Sequence, residues 1–134
     1  MKLQVLNVDD DKMVLFIYEK MMGHANFSSD PKSFLNGYET LDYISKNNNE
    51  DIKFLIFLDI NMPDLNGWQF MDELNTIGLT KYCHVLVVTS SIDLSDKERS
   101  ETYPVVIDFV EKPINIEKLK ELKQLKQLKP FFEN

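Results

Sequence analysis

The chain has 134 residues, of which 43% are hydrophobic, and a formal net charge of −7. This length predicts a single domain over residues 1–134, with one hydrophobic core. We expect a cytoplasmic protein without membrane contacts, because no stretch approaches the roughly 18 apolar residues of a span and acids stand where a signal peptide is apolar. One cysteine, Cys83, excludes a disulfide framework. The acidic charge argues against a nucleic-acid partner, which requires a basic surface.

The first half of the chain alternates short apolar runs with segments of helical periodicity. In chain order we predict a strand from Leu3 to Val8, a helix from about Lys12 to Met22 capped by Asp11 or a neighbour, a short edge strand from Lys32 to Leu35, and a helix from Tyr38 to Ser45. Asn7 interrupts the first apolar run, and the sequence offers no reason for it.

The second half continues the same alternation. We predict strands from Phe54 to Leu58, from His84 to Val88 and from Val105 to Val110. A turn at Asn66-Gly67 with φ > 0 precedes a predicted helix from Trp68 to Ile77. A second helix is opened by a capping box at Ser95–Glu98, and a third runs from Ile116 to about Lys129 and is terminated by Pro130. The alternation predicts an α/β fold, a doubly wound parallel sheet of five strands flanked by five helices.

Polar residues follow these strands where each one ends, and they are Asp9, Asp10, Asp59, Thr89 and Lys112. In open parallel sheets the carboxyl ends of the strands form the ligand-binding edge. Carboxylates gathered there raise each other's pKa unless a cation lies among them, and Mg²⁺ suits a site with few protein oxygens. With Lys112 and Thr89 to stabilise an anion, the set suits phosphoryl transfer onto an aspartate.

Four motifs carry a family resemblance. They are V-D-D at Val8–Asp10, L-D-I-N-M-P at Leu58–Pro63 with the later Gly67, V-T-S at Val88–Ser90, and F-V-E-K-P at Phe109–Pro113. With these motifs in this order, the chain resembles a stand-alone response-regulator receiver domain of two-component signalling over essentially its whole length. The resemblance implies a flavodoxin-like strand order of 2-1-3-4-5.

The resemblance also implies roles for individual residues. Asp59 would accept a phosphoryl group from a histidine kinase or phosphotransfer protein. Mg²⁺ would be bound by Asp10, Asp59 and the backbone carbonyl of Asn61, with Asp9 acting largely through water. The domain would not be an enzyme in the ordinary sense, although Mg²⁺-dependent self-phosphorylation and autodephosphorylation are expected.

The remaining implied roles concern the readout of phosphorylation. Thr89 and Lys112 would hold the phosphoryl oxygens, and Thr89 with Phe109 would form the switch pair. The switch would remodel the face formed by the fourth helix, fifth strand and fifth helix, where a downstream protein binds. Family members often have Tyr at the position of Phe109, so a hydroxyl-mediated contact there is absent. The Lys112–Pro113 peptide bond is expected to be cis.

Two alternative functions compete with this hypothesis. A degenerate receiver would act as a scaffold independently of phosphorylation. A phosphatase of the haloacid dehalogenase type would require a second Asp two residues beyond the nucleophile, and Asn61 stands there instead.

Aliphatic residues of the last predicted helix recur every three positions, at Ile116, Leu119, Leu122, Leu125 and Leu128. On an α-helix of 3.6 residues per turn, such a stripe rotates away from a flat core. We therefore expect Leu125, Leu128, Phe131 and Phe132 to leave the core and form a homodimer or partner contact. The alternative is a tail folded back on the domain.

Overall fold

The computed structural model describes residues 1–90 and 93–133, so residues 91, 92 and 134 of the predicted domain lie outside it. Five parallel strands form one sheet in the order β2-β1-β3-β4-β5. The strands are β1 Lys2–Val8, β2 Lys32–Phe34, β3 Ile52–Asp59, β4 Cys83–Thr89 and β5 Val106–Glu111. The predicted fold class and strand order are confirmed.

Helices cover both faces of the sheet. They are α1 Lys12–His24, α2 Gly37–Asn47, α3 Gly67–Thr76, α4 Leu94–Ser100, α5 Ile116–Leu122 and α6 Lys129–Phe132, with a 3₁₀ turn at Thr80–Tyr82. The described part of the chain therefore has six α-helices where five were predicted. Within the described ranges, 1–90 and 93–133, no helix is long and apolar enough to cross a bilayer.

The central strand β3 is buried on both faces, and successive side chains enter two separate apolar cores rather than the single core predicted. Phe54, Ile56 and Leu58 pack in the core beneath α2 and α3. Leu55 and Phe57 pack in the opposite core, beneath α1 and α5. Since side chains alternate along a strand, Asp59 emerges on the same face as Phe57. The uninterrupted apolar run in the sequence reflects this two-sided burial.

The loop from β3 to α3 differs from its prediction. The residue with positive φ is Asp64 (φ 66°), and Asn66 has φ −77° and caps α3 by accepting a hydrogen bond from the Gln69 backbone N–H. Gly67 is needed for a different reason. A Cβ atom on Gly67 would lie 2.7 Å from Cα of Ile60, which is closer than real Cβ contacts. The glycine thus permits α3 to begin against the end of β3.

The ends of two helices also differ from prediction. The cap of α4 is Asp93, whose carboxylate accepts from the Ser95 backbone N–H at 2.9 Å, so Ser95 lies inside the helix and opens no capping box. Pro130 does not terminate the last helix. It lies in the first turn of α6, where a backbone N–H has no acceptor within the helix, so a residue that lacks this hydrogen is tolerated.

The prediction that the tail leaves the core is wrong. Beyond α5 the backbone forms i→i+3 hydrogen bonds, from Leu125 N to Leu122 O at 3.1 Å and from Leu128 N to Leu125 O at 2.9 Å. Such 3₁₀-type turns repeat every three residues and keep side chains at i and i+3 on one face. Leu128 is accordingly fully buried, and Phe132 packs on Phe27 with ring centroids 5.0 Å apart. The three-residue period thus describes a tail folded onto the α1–α5 core.

Candidate functional site

Three carboxylates meet where β1 and β3 end. Asp9 and Asp10 follow β1, and Asp59 is the last residue of the neighbouring β3. Ligand oxygens of the three side chains lie within 4.8 Å of one another. Asp9 is 1% exposed and Asp59 6% exposed, whereas Asp10 is open to solvent. Two of the three negative charges are therefore buried.

Both oxygens of Asp9 accept hydrogen bonds. The Lys112 Nζ donates to Oδ2 at 2.6 Å, and the backbone N–H of Asp11 donates to Oδ1 at 2.9 Å. Asp11 also caps α1, as predicted, by accepting from the Met13 N–H at 2.8 Å. The start of α1 thus holds Asp9 in place from one side, and the end of β5 holds it from the other.

Asp59 has a different environment. The backbone N–H of Asn61 donates to its Oδ1 at 3.0 Å, and Lys112 Nζ lies 3.5 Å from its Oδ2. Burial raises the pKa of Asp59 above its ordinary value, and the charges of Asp9 and Asp10 add to that rise, while Asn61 and Lys112 lower it. The net direction is upward because burial is the largest of these effects.

Lys112 supplies the positive charge of the site. Burial alone would lower its pKa, but the hydrogen bond to Asp9 and the charges of Asp59 and Asp9 outweigh burial and raise the pKa. The ammonium group therefore stays charged at neutral pH. Its backbone N–H donates to the carbonyl of Thr89 at 2.7 Å, which ties the end of β5 to β4. The Lys112–Pro113 peptide bond that follows is cis.

Thr89 closes the opposite side of the site. It ends β4, is fully buried, and its Oγ1 lies 3.5 Å from the side-chain amide nitrogen of Asn61. Phe109 lies lower on β5, beside Val87 in the strand register, and packs half-buried against the α2–α3 core. The structure thus gathers five predicted site residues around Asp59, and they are Asp9, Asp10, Asn61, Thr89 and Lys112. Phe109 lies farther from the carboxylates, in the core.

The donor set fits a hard divalent cation. Carboxylate oxygens are the ligands preferred by Mg²⁺ and Ca²⁺, and two buried like charges with one nearby lysine leave an excess of negative charge. Because both oxygens of Asp9 are already hydrogen-bonded, Asp10 and Asp59 are the better direct ligands. Few protein oxygens on a solvent-facing rim favour Mg²⁺, which retains several waters.

The family's sequence profile, described as response regulator receiver domain, matches residues 5–124. This chain belongs to that family. Two-component response regulator 24 from Arabidopsis thaliana is 32% identical over 118 residues, which cover 88% of this receiver domain and 79% of that protein.

Solved receiver structures are similar throughout the fold. A response regulator receiver protein from Dyadobacter fermentans superposes with a TM-score of 0.82 at 24% identity, covering 99% of this chain and 100% of that chain. A two-component response regulator from Legionella pneumophila gives a TM-score of 0.77 at 26% identity, covering 94% and 98%.

Sequence reasoning missed two contributors to the site. The backbone N–H of Asp11 and that of Asn61 each hold a carboxylate, and a main-chain donor leaves no mark in residue type. The residue spacing offers the only signal, since each donor stands two positions after the aspartate it contacts. A carboxylate that ends a strand and turns into a loop commonly accepts from the amide two residues on.

Proposed function

We propose that this receiver domain is a phosphorylation switch in which Asp59 accepts a phosphoryl group from a histidine kinase or a phosphotransfer protein. The observation that carries the proposal is the environment of Asp59. Its carboxylate is nearly buried at a strand end, 3.5 Å from Lys112 Nζ and beside two further carboxylates. A nucleophile, a counter-charge and a cation site are thus adjacent.

In this mechanism an oxygen of Asp59 attacks phosphorus, and the bond from phosphorus to the donor nitrogen breaks with its electron pair leaving on that nitrogen. Lys112 stabilises the negative charge on the phosphoryl oxygens, and the Thr89 hydroxyl donates to one of them. The Asn61 N–H keeps Oδ1 of Asp59 oriented. Mg²⁺, when held by Asp10, Asp59 and the Asn61 carbonyl with Asp9 acting through water, would neutralise the remaining charge.

Signal output is proposed to run through Thr89 and Phe109. When the Thr89 hydroxyl turns toward a phosphoryl group, the Phe109 ring takes the space it leaves, and the face of α4, β5 and α5 changes shape. Phe109 already packs half-buried on the core, so ring movement alters the neighbouring surface. We propose that a downstream protein, or a second copy of the chain, binds this face in the cytoplasm.

Incubation with Mg²⁺ and acetyl phosphate, followed by intact mass measurement, tests the proposal. We expect one phosphate adduct on the unaltered protein and none on Asp59→Asn. The matched control is Asp64→Asn, an exposed acid in the same loop whose positive φ asparagine tolerates. That variant should keep the adduct. An unmodified wild type would favour the phosphorylation-independent scaffold, and an adduct that persists in Asp59→Asn would assign the phosphoacceptor elsewhere.

A further inference from the structure

Two buried polar side chains have no place in the mechanism above. Asn7 is 0% exposed and Tyr18 is 4% exposed. Within residues 1–90 and 93–133, neither Asn7 Oδ1 nor the Tyr18 hydroxyl has a hydrogen-bond partner. The amide nitrogen of Asn7 makes a long contact to the Met22 sulfur, at 3.5 Å. Unpaired polar atoms in a core are costly, so two of them in one core require an explanation.

Both side chains lie in the layer directly beneath the carboxylates. Asn7 lies on β1, two residues before Asp9, and its partner in the strand register is Phe57, which lies on β3 two residues before Asp59. Alternation along the strands therefore puts Asn7 on the same face as Asp9, beside Phe57. The Tyr18 ring packs against Phe57, with centroids 6.4 Å apart. The two orphan atoms thus flank the same phenylalanine.

The position of Tyr18 on α1 favours a hydroxyl directed toward the acid cluster. Side chains on a helix incline toward its N-terminus, and α1 begins three residues after Asp9. Tyr18 also lines a cavity of about 300 Å³ together with Lys112, the residue that binds Asp9. In agreement with this placement, burial and the nearby charges of Asp9 and Asp59 all raise the pKa of Tyr18, which is a neutral hydrogen-bond donor at physiological pH.

We propose that Tyr18 and Asn7 are positioning residues that hold Asp9 through one shared internal water. The Tyr18 hydroxyl donates to the water, and the water donates one hydrogen to Asn7 Oδ1 and the other to the Asp9 carboxylate. Internal waters typically make three such bonds to buried polar atoms. This arrangement satisfies both orphan atoms and fixes Asp9 from below, while Lys112 and the Asp11 N–H hold it from above.

The inference rests on the proposed function, because its consequence is a preorganised cation site. An Asp9 held in a single orientation keeps its charge directed at the cation. Loss of the support should therefore weaken Mg²⁺ binding. It should also slow phosphorylation at limiting Mg²⁺ and leave the rate at saturating Mg²⁺ nearly unchanged.

The test compares Mg²⁺ affinity, measured by calorimetry without a phosphodonor, in the wild type and Tyr18→Phe. We expect about threefold to tenfold weaker binding in the variant, which corresponds to one net hydrogen bond. Tyr43→Phe is the matched control. Tyr43 is partly buried in the opposite core, against Phe34 and Phe54, so the same deletion there should leave the affinity unchanged.

Two further measurements separate positioning from packing. Asn7→Leu removes the proposed acceptor. The double variant, Asn7→Leu with Tyr18→Phe, should lose no more Mg²⁺ affinity than either single variant, because each of the three proteins lacks the same water-mediated contact to Asp9. In carbon-13 NMR of labelled tyrosine, the Cζ resonance of Tyr18 should shift when Mg²⁺ is added, whereas that of Tyr43 should not.

The idea is overturned if Tyr18→Phe binds Mg²⁺ as the wild type does and unfolds at a higher temperature, since the hydroxyl is then simply unpaired. Additive losses in the double variant would also overturn it. Failure of the proposed function appears differently. In that case the wild type forms no adduct with acetyl phosphate, even though its Mg²⁺ affinity still depends on Tyr18.

Discussion

Replacing Lys112 with methionine should destabilise the domain in the absence of Mg²⁺, and Mg²⁺ should restore much of the loss. Lys112 is the one cation within salt-bridge distance of Asp9 and Asp59 in the described part of the chain. Methionine retains much of the side-chain volume and removes the charge. The variant therefore isolates the electrostatic contribution of the ammonium group from its packing.

The distances give the size of the effect. With an effective dielectric constant of about 20, Lys112 attracts Asp9 at 2.6 Å by about 6 kcal/mol and Asp59 at 3.5 Å by about 5 kcal/mol. The two carboxylates, at no more than 4.8 Å, repel each other by at least about 3 kcal/mol. Desolvation offsets much of the attraction in the wild type, but removing the lysine leaves two buried charges uncompensated. Such a change costs about 3–5 kcal/mol.

The assay is thermal and urea unfolding at neutral pH in a metal chelator, where we expect the melting temperature of Lys112→Met to fall by about 10–18 °C. The deficit should shrink at acidic pH. Because the pKa of Asp59 is raised in the folded state, its protonation favours the folded state, and that contribution is lost as the pH rises through this pKa. Lowering the pH through this pKa therefore protonates Asp59 and removes its repulsion with Asp9, which the variant has no lysine to offset.

Lys118→Met provides the control, because Lys118 pairs with Asp108 at 3.4 Å near the surface, where such pairs contribute about 1 kcal/mol or less. A second control, Lys112→Met combined with Asp59→Asn, should recover part of the lost stability. If Lys112→Met and the wild type have the same melting temperature in chelator at neutral pH, the lysine does not stabilise the buried carboxylates, and the electrostatic account of the site fails.

Two other substitutions test how the tail and α4 pack on the domain. Leu128→Ala should cost about 2–5 kcal/mol in urea unfolding, because Leu128 is fully buried, whereas a tail detached from the core would show almost no change. Arg99→Ala should shift the fluorescence of Trp68, the single tryptophan, to longer wavelength and cost about 0.5–1 kcal/mol, since the guanidinium lies 4.6 Å from the ring centroid. An unchanged emission spectrum would mean that α4 does not cover Trp68 in solution.

The sheet and the site were predictable because both depend on residue type. A strand buried on both faces must be apolar throughout, so Phe54 to Leu58 could be recognised without any tertiary information. A carboxylate that ends such a strand has to find a cation or solvent, so Asp59 indicated a site at the sheet edge. The same argument applied to β4 and β5 predicted that the hydroxyl group of Thr89 and the ammonium group of Lys112 lie at that edge too.

What could not be predicted depends on backbone geometry. The three-residue repeat from Leu122 to Leu128 fits an α-helix poorly, and the chain solves this by changing its hydrogen bonding from i→i+4 to i→i+3. Residue type does not encode that change. Gly67 likewise appeared to be needed for a positive φ, but the constraint is its distance to Ile60, a contact defined only once α3 is docked.

The electrostatics of the site would link metal binding to the stability of the domain. Two buried carboxylates share one lysine, and the raised pKa of Asp59 indicates that the metal-free site disfavours full ionisation. A cation that binds only the folded state stabilises it by about 2.7 kcal/mol at a concentration one hundred times its dissociation constant. A phosphoryl group on Asp59 would bring negative charge back to the same position, beside Lys112. The two groups proposed to respond to that charge, Thr89 and Lys112, are joined by the hydrogen bond from the Lys112 N–H to the Thr89 carbonyl, so movement at one would be transmitted to the other.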